Sequence, residues 1–440
     1  MKIIADLHIH SPYARAVSKE MTLENLDYWA RLKGITVMGT GDFTHPAWIR
    51  AIKEKLEPAE EGLYKLKSEI RNSKPETTSK FSAKSGSASG GKIQNSKTRF
   101  MLTVEISSIY SKGGKARRIH NLVFAPSIES AEKINAELGR RGNLKSDGRP
   151  ILGLDSKELA KIVFNAEPKA VIIPAHAWTP WFSIFGSMSG FDSIEECFDE
   201  YAKYIFAIET GLSSDPAMNW RLSKLDNIAL ISNSDSHSLQ KIGREANVFE
   251  TELSYEGIVG AIKSRDPKKF LFTVEFFPEE GKYHYDGHRA CKYSCDPLKT
   301  KDHNDICPVC RKKMTIGVLN RVRQLADRGE GERPANVVPF KNLIPLDEVI
   351  GGAFGVGVSS KKVKDEYMRL VNAFGSEFAL LVDADEQEIR NGTPAEVAEG
   401  IIRVRQKKVR IDPGYDGEYG KIKIFEEGEQ KEIIKKTALF

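Results

Sequence analysis

His8 and His10 stand two residues apart in "ADLHIHSPY", directly after an apolar run. In an extended chain positions i and i+2 share a face, so both imidazoles point the same way beside Asp6. Polar clusters of this kind recur along the chain. "GTGDFTHP" carries Asp42 and His45, "TVEISS" carries Glu105, and "RRIHNLVF" carries His120. "IIPAHAW" brings His176, "AIETG" brings Glu209, and "ISNSDSH" brings Asp235 and His237. Any one of them alone reads as a satisfied core or surface residue. Together they are a mixed nitrogen and oxygen donor set for divalent cations, suited to Zn²⁺, Mn²⁺ or Fe²⁺, with Mg²⁺ added in turnover. Hydrolysis by a metal-activated water is the chemistry such a set performs. No nucleophile elbow competes with it. Ser234 and Ser236 alternate with donors and serve to fix their loop, and Cys197 in "IEECFDEY" reads as a small buried residue.

Strands must deliver these groups. Apolar runs predict strands at Lys2–Leu7, Ile35–Thr40, Arg99–Glu105, Ile119–Ala125, Ala170–Ala175, Phe206–Glu209, Ile228–Ser232 and Asn247–Glu250. Helical periodicity separates several of them, as in Thr22–Lys33 and Ser156–Phe164, which is the rhythm of parallel β/α architecture. In such folds the residues at the C-terminal strand ends meet at one mouth. Residues 72–98, rich in Ser, Lys and Gly, interrupt the pattern as a flexible insertion.

Four of the five cysteines fall within 291–310. Cys291-x3-Cys295 and Cys307-x2-Cys310 form two thiol pairs, the signature of a closed structural Zn²⁺ site. His284, His288 and His303 stand near enough to replace one cysteine. Lys292, Lys301, Arg311, Lys312 and Lys313 surround the segment and suit phosphate contacts. After the linker "ADRGEGERPAN", helices are expected at Leu346–Phe354, Lys361–Phe374, Glu377–Ile389 and Pro394–Gln406. The basic run "RVRQKKVR" and a hairpin around Pro413-Gly414 follow. The loop after His176 packs Trp178, Trp181, Phe182, Phe185 and Phe191 together. It reads either as a plug over the mouth or as a stacking wall for an extruded base, with Trp178, Trp181 and Phe182 as pocket candidates.

The chain has 440 residues, with 66 basic and 61 acidic side chains, so net charge permits nucleic-acid binding without arguing for it. No apolar stretch reaches the ~18 residues of a membrane span. Asp6 and His8 come too early for a signal peptide's apolar region, so a cytoplasmic, nucleoid-associated protein with no membrane partner is expected.

"DLHIHS", "TGDFTHP", "VEISS", "IHNLVF", "PAHAW" and "SDSH" resemble the successive motifs of the PHP (polymerase and histidinol phosphatase) superfamily. More narrowly, "RRIHNLVFAP", "AIETGLSSDPAMNW", "SNSDSHS", the cysteine segment and "PGYDGEYGKIKIF" resemble the endonuclease Q family over nearly the whole chain. The resemblance implies an α/β fold with a distorted (β/α)7 PHP barrel over 1–275. A zinc-binding module with its linker follows over 276–332, then a C-terminal helical domain with a terminal hairpin over 333–440. It also implies that His8, His10 and Asp235 hold one metal and that Glu105 bridges it to a second held by His120 and His176. These make His8, His10, Glu105 and Asp235 the catalytic set, with His237, Asp42 and His45 serving a third metal. The chain departs from the superfamily pattern at Arg15-Ala16, where many members place a further His or Asp, and at Asp42-Phe43, where T-D-H is usual. The implied activity is cleavage of damaged DNA 5′ to deaminated bases (deoxyinosine, deoxyuridine) or abasic sites. The tail "KTALF" would dock a replication or repair protein. A PHP-type phosphoesterase for a small phosphorylated metabolite and a non-catalytic DNA-binding module are the competing readings.

Overall fold

The computed structural model describes residues 1–71, 98–430 and 433. The expected insertion therefore lies outside the described residues, apart from the buried Thr98, and so does the terminal "KTALF". All eight expected strands form: β1 (Lys2–Asp6), β2 (Val37–Gly39), β3 (Arg99–Lys112), β4 (Lys115–Ala125), β5 (Val171–Pro174), β6 (Ala207–Glu209), β7 (Ala229–Ile231) and β8 (Ala246–Glu250). A ninth, β9, spans Phe270–Glu275. β1, β2 and β5 are apolar and almost wholly buried, as strands covered on both faces must be. The helix Leu23–Lys33 starts where the Thr22 hydroxyl accepts from Asn25 N and stops at Gly34, whose φ of 90° needs a residue without a Cβ. Its Leu23, Leu26, Trp29 and Ala30 are buried.

The result is a mixed α/β sheet, and here the parallel expectation needs correcting. β1 pairs β2, β2 pairs β3 and β6 pairs β7 in parallel. β3 and β4, however, form one long antiparallel hairpin from Leu102↔Ala125 to Lys112↔Lys115. It is closed by Gly113 and Gly114, with φ of 61° and 72°. Two consecutive residues at positive φ are what a tight hairpin turn asks for, and glycine meets that demand without strain. β4–β5, β1–β8 and β8–β9 are also antiparallel. β6 and β7 form a separate pair. Ala177 N donating to Glu209 O at 2.9 Å joins that pair to the end of β5. Leu7 N donating to Asn233 Oδ1 at 2.8 Å joins it to β1.

Beyond the sheet, Asp286–His288 and Tyr293–Cys295 form a small antiparallel hairpin. Helices follow at Val318–Leu325, Leu346–Phe354, Lys361–Phe374, Glu386–Gly392 and Ala395–Arg405. The single helix expected at Glu377–Ile389 is broken. A π-helical turn covers Ala379–Asp383, and a new helix begins where Asp385 and Glu388 form a reciprocal capping box. The C-terminal helices are locked to the sheet domain by a buried ion pair, Lys33 Nζ to Glu377 at 2.7 Å. Glu377 also accepts from Tyr367 Oη and Leu346 N, so its charge is fully partnered. Arg410–Asp412 pairs Lys421–Lys423 as the expected hairpin. Its loop folds back, with Gly414 N donating to Glu279 O and Gly420 N to Glu280 O. A Cβ at either glycine would stand 2.3 Å from a carbonyl oxygen, so this close approach depends on them. Among the described residues no helix is long and apolar enough to cross a membrane.

Candidate metal centre

Past the end of β1, His8 and His10 are buried side by side. Asp6 ties the strand to the loop after β7 by accepting from Ser234 N and Gly243 N, and burial lifts its pKa to about 6. Each imidazole is held from behind. His8 Nδ1 lies 3.0 Å from both oxygens of Glu209, and His10 Nδ1 lies 3.1 Å from Asp42 Oδ1. Both Nε2 atoms are thereby aimed inward. His8 Nε2 is 3.7 Å from Glu105 Oε2 and 3.5 Å from Asp235 Oδ1. His10 Nε2 is 3.3 Å and 3.1 Å from the same atoms.

The hairpin builds the second group. Register Ser107↔His120 makes Glu105 and His120 diagonal neighbours on one face. His120 Nδ1 is 2.6 Å and His176 Nε2 is 2.9 Å from Glu105 Oε1. Glu105 and His120 thus converge through hairpin register, from mid-strand positions rather than strand ends. The ligand atoms of His8, His10, Glu105 and Asp235 lie within 4.8 Å of one another, as do those of Glu105, His120 and His176. Glu105 belongs to both groups, one oxygen to each.

These residues fit divalent cations. The donors are imidazoles and carboxylates, and His8 Nε2 is buried with no hydrogen-bond partner. Three of the four ligating imidazoles have an outer carboxylate or hydroxyl fixing the ring: Glu209 for His8, Asp42 for His10, and Ser183 at 3.1 Å for His176. Backbone strain concentrates here too, with Asp42 (φ 50°), His176 (29°), Phe182 (64°) and Asp235 (46°) all in the left-handed region.

The electrostatics point the same way. Burial acts to lower the pKa of His8 and His10, but it is outweighed by Glu209 and Asp235 around His8 and by Asp42, Asp235 and Glu105 around His10. Both are held well above the ordinary value. Burial opposes ionisation of Glu105, yet His120, Arg149 and His10 keep it well below the usual carboxylate range. Burial likewise opposes ionisation of Asp235, and His8 with its neighbours overcomes that. Burial pushes His120 down to about 4 against the pull of Glu105. A field that draws protons onto imidazoles draws a dication more strongly, and binding it releases those protons.

The residues expected at a third metal belong to neither donor group, although Asp42 and His237 adjoin the first. Asp42 turns Oδ1 to His10 and Oδ2 to Ser11, whose N and Oγ both donate at 2.6 Å. His45 stacks on Tyr13, centroids 4.4 Å apart. His237 lies against His10 at 4.7 Å and donates Nδ1–H to Asp235 O. Two residues at the centre had no assigned role in the sequence reading. Glu209 was visible there as a strand-end acid, and the structure makes it the backing of His8. Arg149, whose Nη1 is 3.0 Å from Glu105 Oε2, lies in a loop with no periodic signal.

A cleft of about 920 Å³ opens over the centre. His120, His176, Asp235 and His237 form its floor, with Trp181, Phe182, Tyr283 and Tyr419 among its walls. Arg15, Arg118, Arg149, Lys241, Arg244 and Lys282 give it a basic lining. Trp178 does not reach it. Its ring is buried against Phe185, and Nε1 donates to Asn219 Oδ1 at 2.7 Å, so it plugs the core.

In the cysteine segment the structure groups His288 with Cys291, Cys307 and Cys310. Cys295 of the expected four lies outside that group, and His288, one of the expected substitutes, lies inside it. The hairpin pairs Asp286↔Cys295 and His288↔Tyr293, so Cys295 stands two residues farther from the turn than His288's partner. Its thiol meets Thr300 Oγ1 at 3.2 Å instead. Burial works against a Cys307 thiolate, but the N–H groups of Cys310 and Val309 outweigh it and hold the thiol below its usual range.

Comparison with known proteins bears on the whole chain. It is 31% identical over 437 residues to the uncharacterized protein YqxK of Bacillus subtilis, covering 96% of this chain and 99% of that one. It is 34% identical over 255 residues to the uncharacterized protein MJ0043 of Methanocaldococcus jannaschii, covering 56% of this chain but only 31% of that relative. Residues 345–408 match the family model of the MJ0043 C-terminal domain. Among solved structures, the lesion-specific endonuclease PfuEndoQ of Pyrococcus furiosus superposes with a TM-score of 0.80 at 31% identity, covering 97% of this chain and 96% of that one. Endonuclease Q in complex with a 27-mer duplex bearing an abasic lesion at its active site gives 0.81 at 32% identity, covering 97% and 98%.

Proposed function

The chain belongs to the endonuclease Q family, and on that premise we propose that it is a metal-dependent DNA repair endonuclease. It hydrolyses the phosphodiester 5′ to a deaminated base (hypoxanthine or uracil) or an abasic site, leaving 3′-hydroxyl and 5′-phosphate. The observation that carries the reading is the shared carboxylate, with Glu105 turning one oxygen to each of two donor groups at the floor of an aromatic and basic cleft. In this reading residues 1–275, with β1–β9, form the PHP catalytic domain, a distorted barrel. Residues 276–332 form the zinc module and 333–440 the helical domain.

His8, His10, Glu105 and Asp235 would hold one cation and Glu105, His120 and His176 the second, with Zn²⁺, Mn²⁺, Fe²⁺ or Mg²⁺ as candidates. Bound there, the cations supply an activated water and neutralise charge on the attacked phosphate. The protein does the rest. Glu209 accepts from His8 Nδ1–H and so fixes the tautomer that leaves Nε2 free. Burial of His8, His10 and Glu105 shields one side of the centre, while Asp235 and His176 face the cleft. Trp181 and Phe182 offer stacking faces for an extruded base, and a mispaired or missing base costs less to extrude than a paired one. The basic cleft rim, the module's lysines and "RVRQKKVR" would hold the flanking backbone, which makes binding strongly salt-dependent.

The test uses end-labelled duplexes carrying inosine, uracil, an abasic site, a normal mismatch or no lesion, with Mg²⁺ or Mn²⁺. A nick on the 5′ side of the three lesions alone is expected. Equal cutting of undamaged duplex, a nick on the 3′ side, or hydrolysis of a simple phosphate ester with no nicking overturns the reading.

A further inference from the structure

Arg149 enters the centre without being a metal donor. Its Nη1 lies 3.0 Å from Glu105 Oε2, the oxygen that faces His8 and His10. Among the described residues its Nε and Nη2 have no hydrogen-bond partner, and the side chain lines the cleft. The loop that carries it is clamped on three sides. Arg149 N and Arg15 N both donate to Asp147 Oδ1, at 3.1 and 3.2 Å. Gly148 N donates to Tyr13 O, and Ser107 N donates to Pro150 O. A Cβ at Gly148 would stand 2.4 Å from Asp42 Oδ2 and 2.8 Å from Ala14 N, so the loop comes this close only with glycine there. The backbone that carries the guanidinium is thus fixed, and Glu105 holds its Nη1.

Its charge then needs a partner. Glu105 carries a single negative charge, and cations in the two donor groups would claim both of its oxygens. Arg149 would be left beside two dications in a poorly screened site, a costly arrangement unless an anion completes it. Among the described residues Asp42 and His45 form no third donor group, and Asp235 lies close enough to Arg149 to act on its charge.

We propose that Arg149 is a substrate-phosphate residue that takes the place of a third cation. Its free guanidinium edge grips a non-bridging oxygen of the scissile phosphodiester, and the centre works with two ions. A planar fork of donors matches two phosphate oxygens in a way a lysine does not. The identity of the phosphodiester rests on the nuclease reading above, but the anion site does not.

The test takes the full chain loaded with its cations, inorganic phosphate as probe, and the variants Arg149→Met and Arg149→Lys. Elemental analysis should find two ions per chain besides the module's zinc, in wild type and both variants. Calorimetric affinity for phosphate should fall roughly 10–100-fold in Arg149→Met and less in Arg149→Lys. Single-turnover cleavage of a lesion duplex should fall about 10²–10³-fold in Arg149→Met, as when one preorganised donor is removed. Unchanged phosphate binding, or a third ion at the centre of wild type, overturns the proposal. So does loss of an ion from Arg149→Met, which would make the residue a prop for Glu105. If Arg149→Met does not fold, Arg149→Lys decides: weaker phosphate binding at unchanged ion content supports the site, and unchanged binding refutes it. If wild type nicks no lesion duplex while phosphate binding still depends on Arg149, the anion site stands and the nuclease reading falls.

Discussion

The His/carboxylate centre and the cysteine module gather metal donors by opposite routes. In the centre, His10 meets Asp235 across 225 residues of sequence. In the module, Cys310 meets His288 across 22. The first needs a finished sheet before its donors can meet, and His8, His10 and His176 are braced by a carboxylate or hydroxyl that no ion has to position. The second has almost no core. Its own hydrophobic cluster consists of buried Cys295, Cys307 and Met314, with three partly buried neighbours. Ordering the segment costs about 1–2 kcal/mol per residue in backbone entropy, more than so small a cluster offsets. An ion at the centre would therefore add chemistry to a fold that exists, whereas in the module it would supply the fold.

The sharpest way to break that contrast is to remove one donor from each. Asp235→Ala should abolish cleavage, a loss on the order of 10³-fold or more, because water activation and charge neutralisation share the same ions. The melting temperature should move little, since the carboxylate holds ions rather than packing. Glu209→Gln keeps the hydrogen bond to His8 without the charge and should cost about 10–100-fold through weaker ion binding. Cleavage near the wild-type rate in Asp235→Ala would end the metal assignment.

In the module the expected order is reversed. Cys307→Ser should release one zinc and open residues 276–315 to protease while the sheet domain stays folded. His288→Ala should do the same, and Cys295→Ser should keep its zinc. The reverse result at His288 and Cys295 would restore the four-cysteine site.

That difference also explains what the sequence could and could not disclose. The strands and most donors were legible because apolar runs followed by His, Asp or Glu are local patterns. Pairing was less so. The parallel rhythm expected of the strands fails at β3 and β4, whose link "SKGGKA" carries the two-glycine turn of a hairpin, a short-range signal available without any structure. The choice of His288 over Cys295 depends on hairpin register, and Arg149 on three separate clamps. Neither is written at any single position. The break at Asp385 is, since its Asp-x-x-Glu is a capping box inside a stretch read as one helix.

The aromatic loop tests the same boundary between fold and function at smaller scale. Trp178 is core, so Trp178→Ala should destabilise the protein by about 3–5 kcal/mol. Trp181 lines the cleft, T-shaped against Tyr283 at 5.9 Å. Trp181→Ala should leave the melting temperature nearly unchanged and slow cleavage at inosine and uracil by roughly 5–100-fold, the value of one lost base stack. An abasic site has no base to stack, so its cleavage should be spared. Equal losses on all three substrates would remove Trp181 from base recognition.

The smallest effect concerns two glutamates in opposite surroundings. Glu105 is kept ionised by imidazoles and Arg149, whereas Glu280 is buried beside the acids Glu348 and Glu279, with Lys241 alone pulling the other way. Its Oε1 has no hydrogen-bond partner, and burial first, then Glu348, pushes its pKa up to about 8. In the unfolded chain the same group ionises near 4.5. Between these values the folded state holds a proton that the unfolded state has released, so stability falls as pH rises from about 4.5 to about 8 and levels off beyond. Glu280→Gln cannot ionise and should lose this slope. Its melting temperature relative to wild type should therefore climb between pH 5 and pH 8, with little difference at the lower pH. The raised acids Glu245 and Glu275 titrate in both proteins and cancel in that comparison. A gap between the two proteins that stays constant with pH would mean that Glu280 ionises normally in the fold.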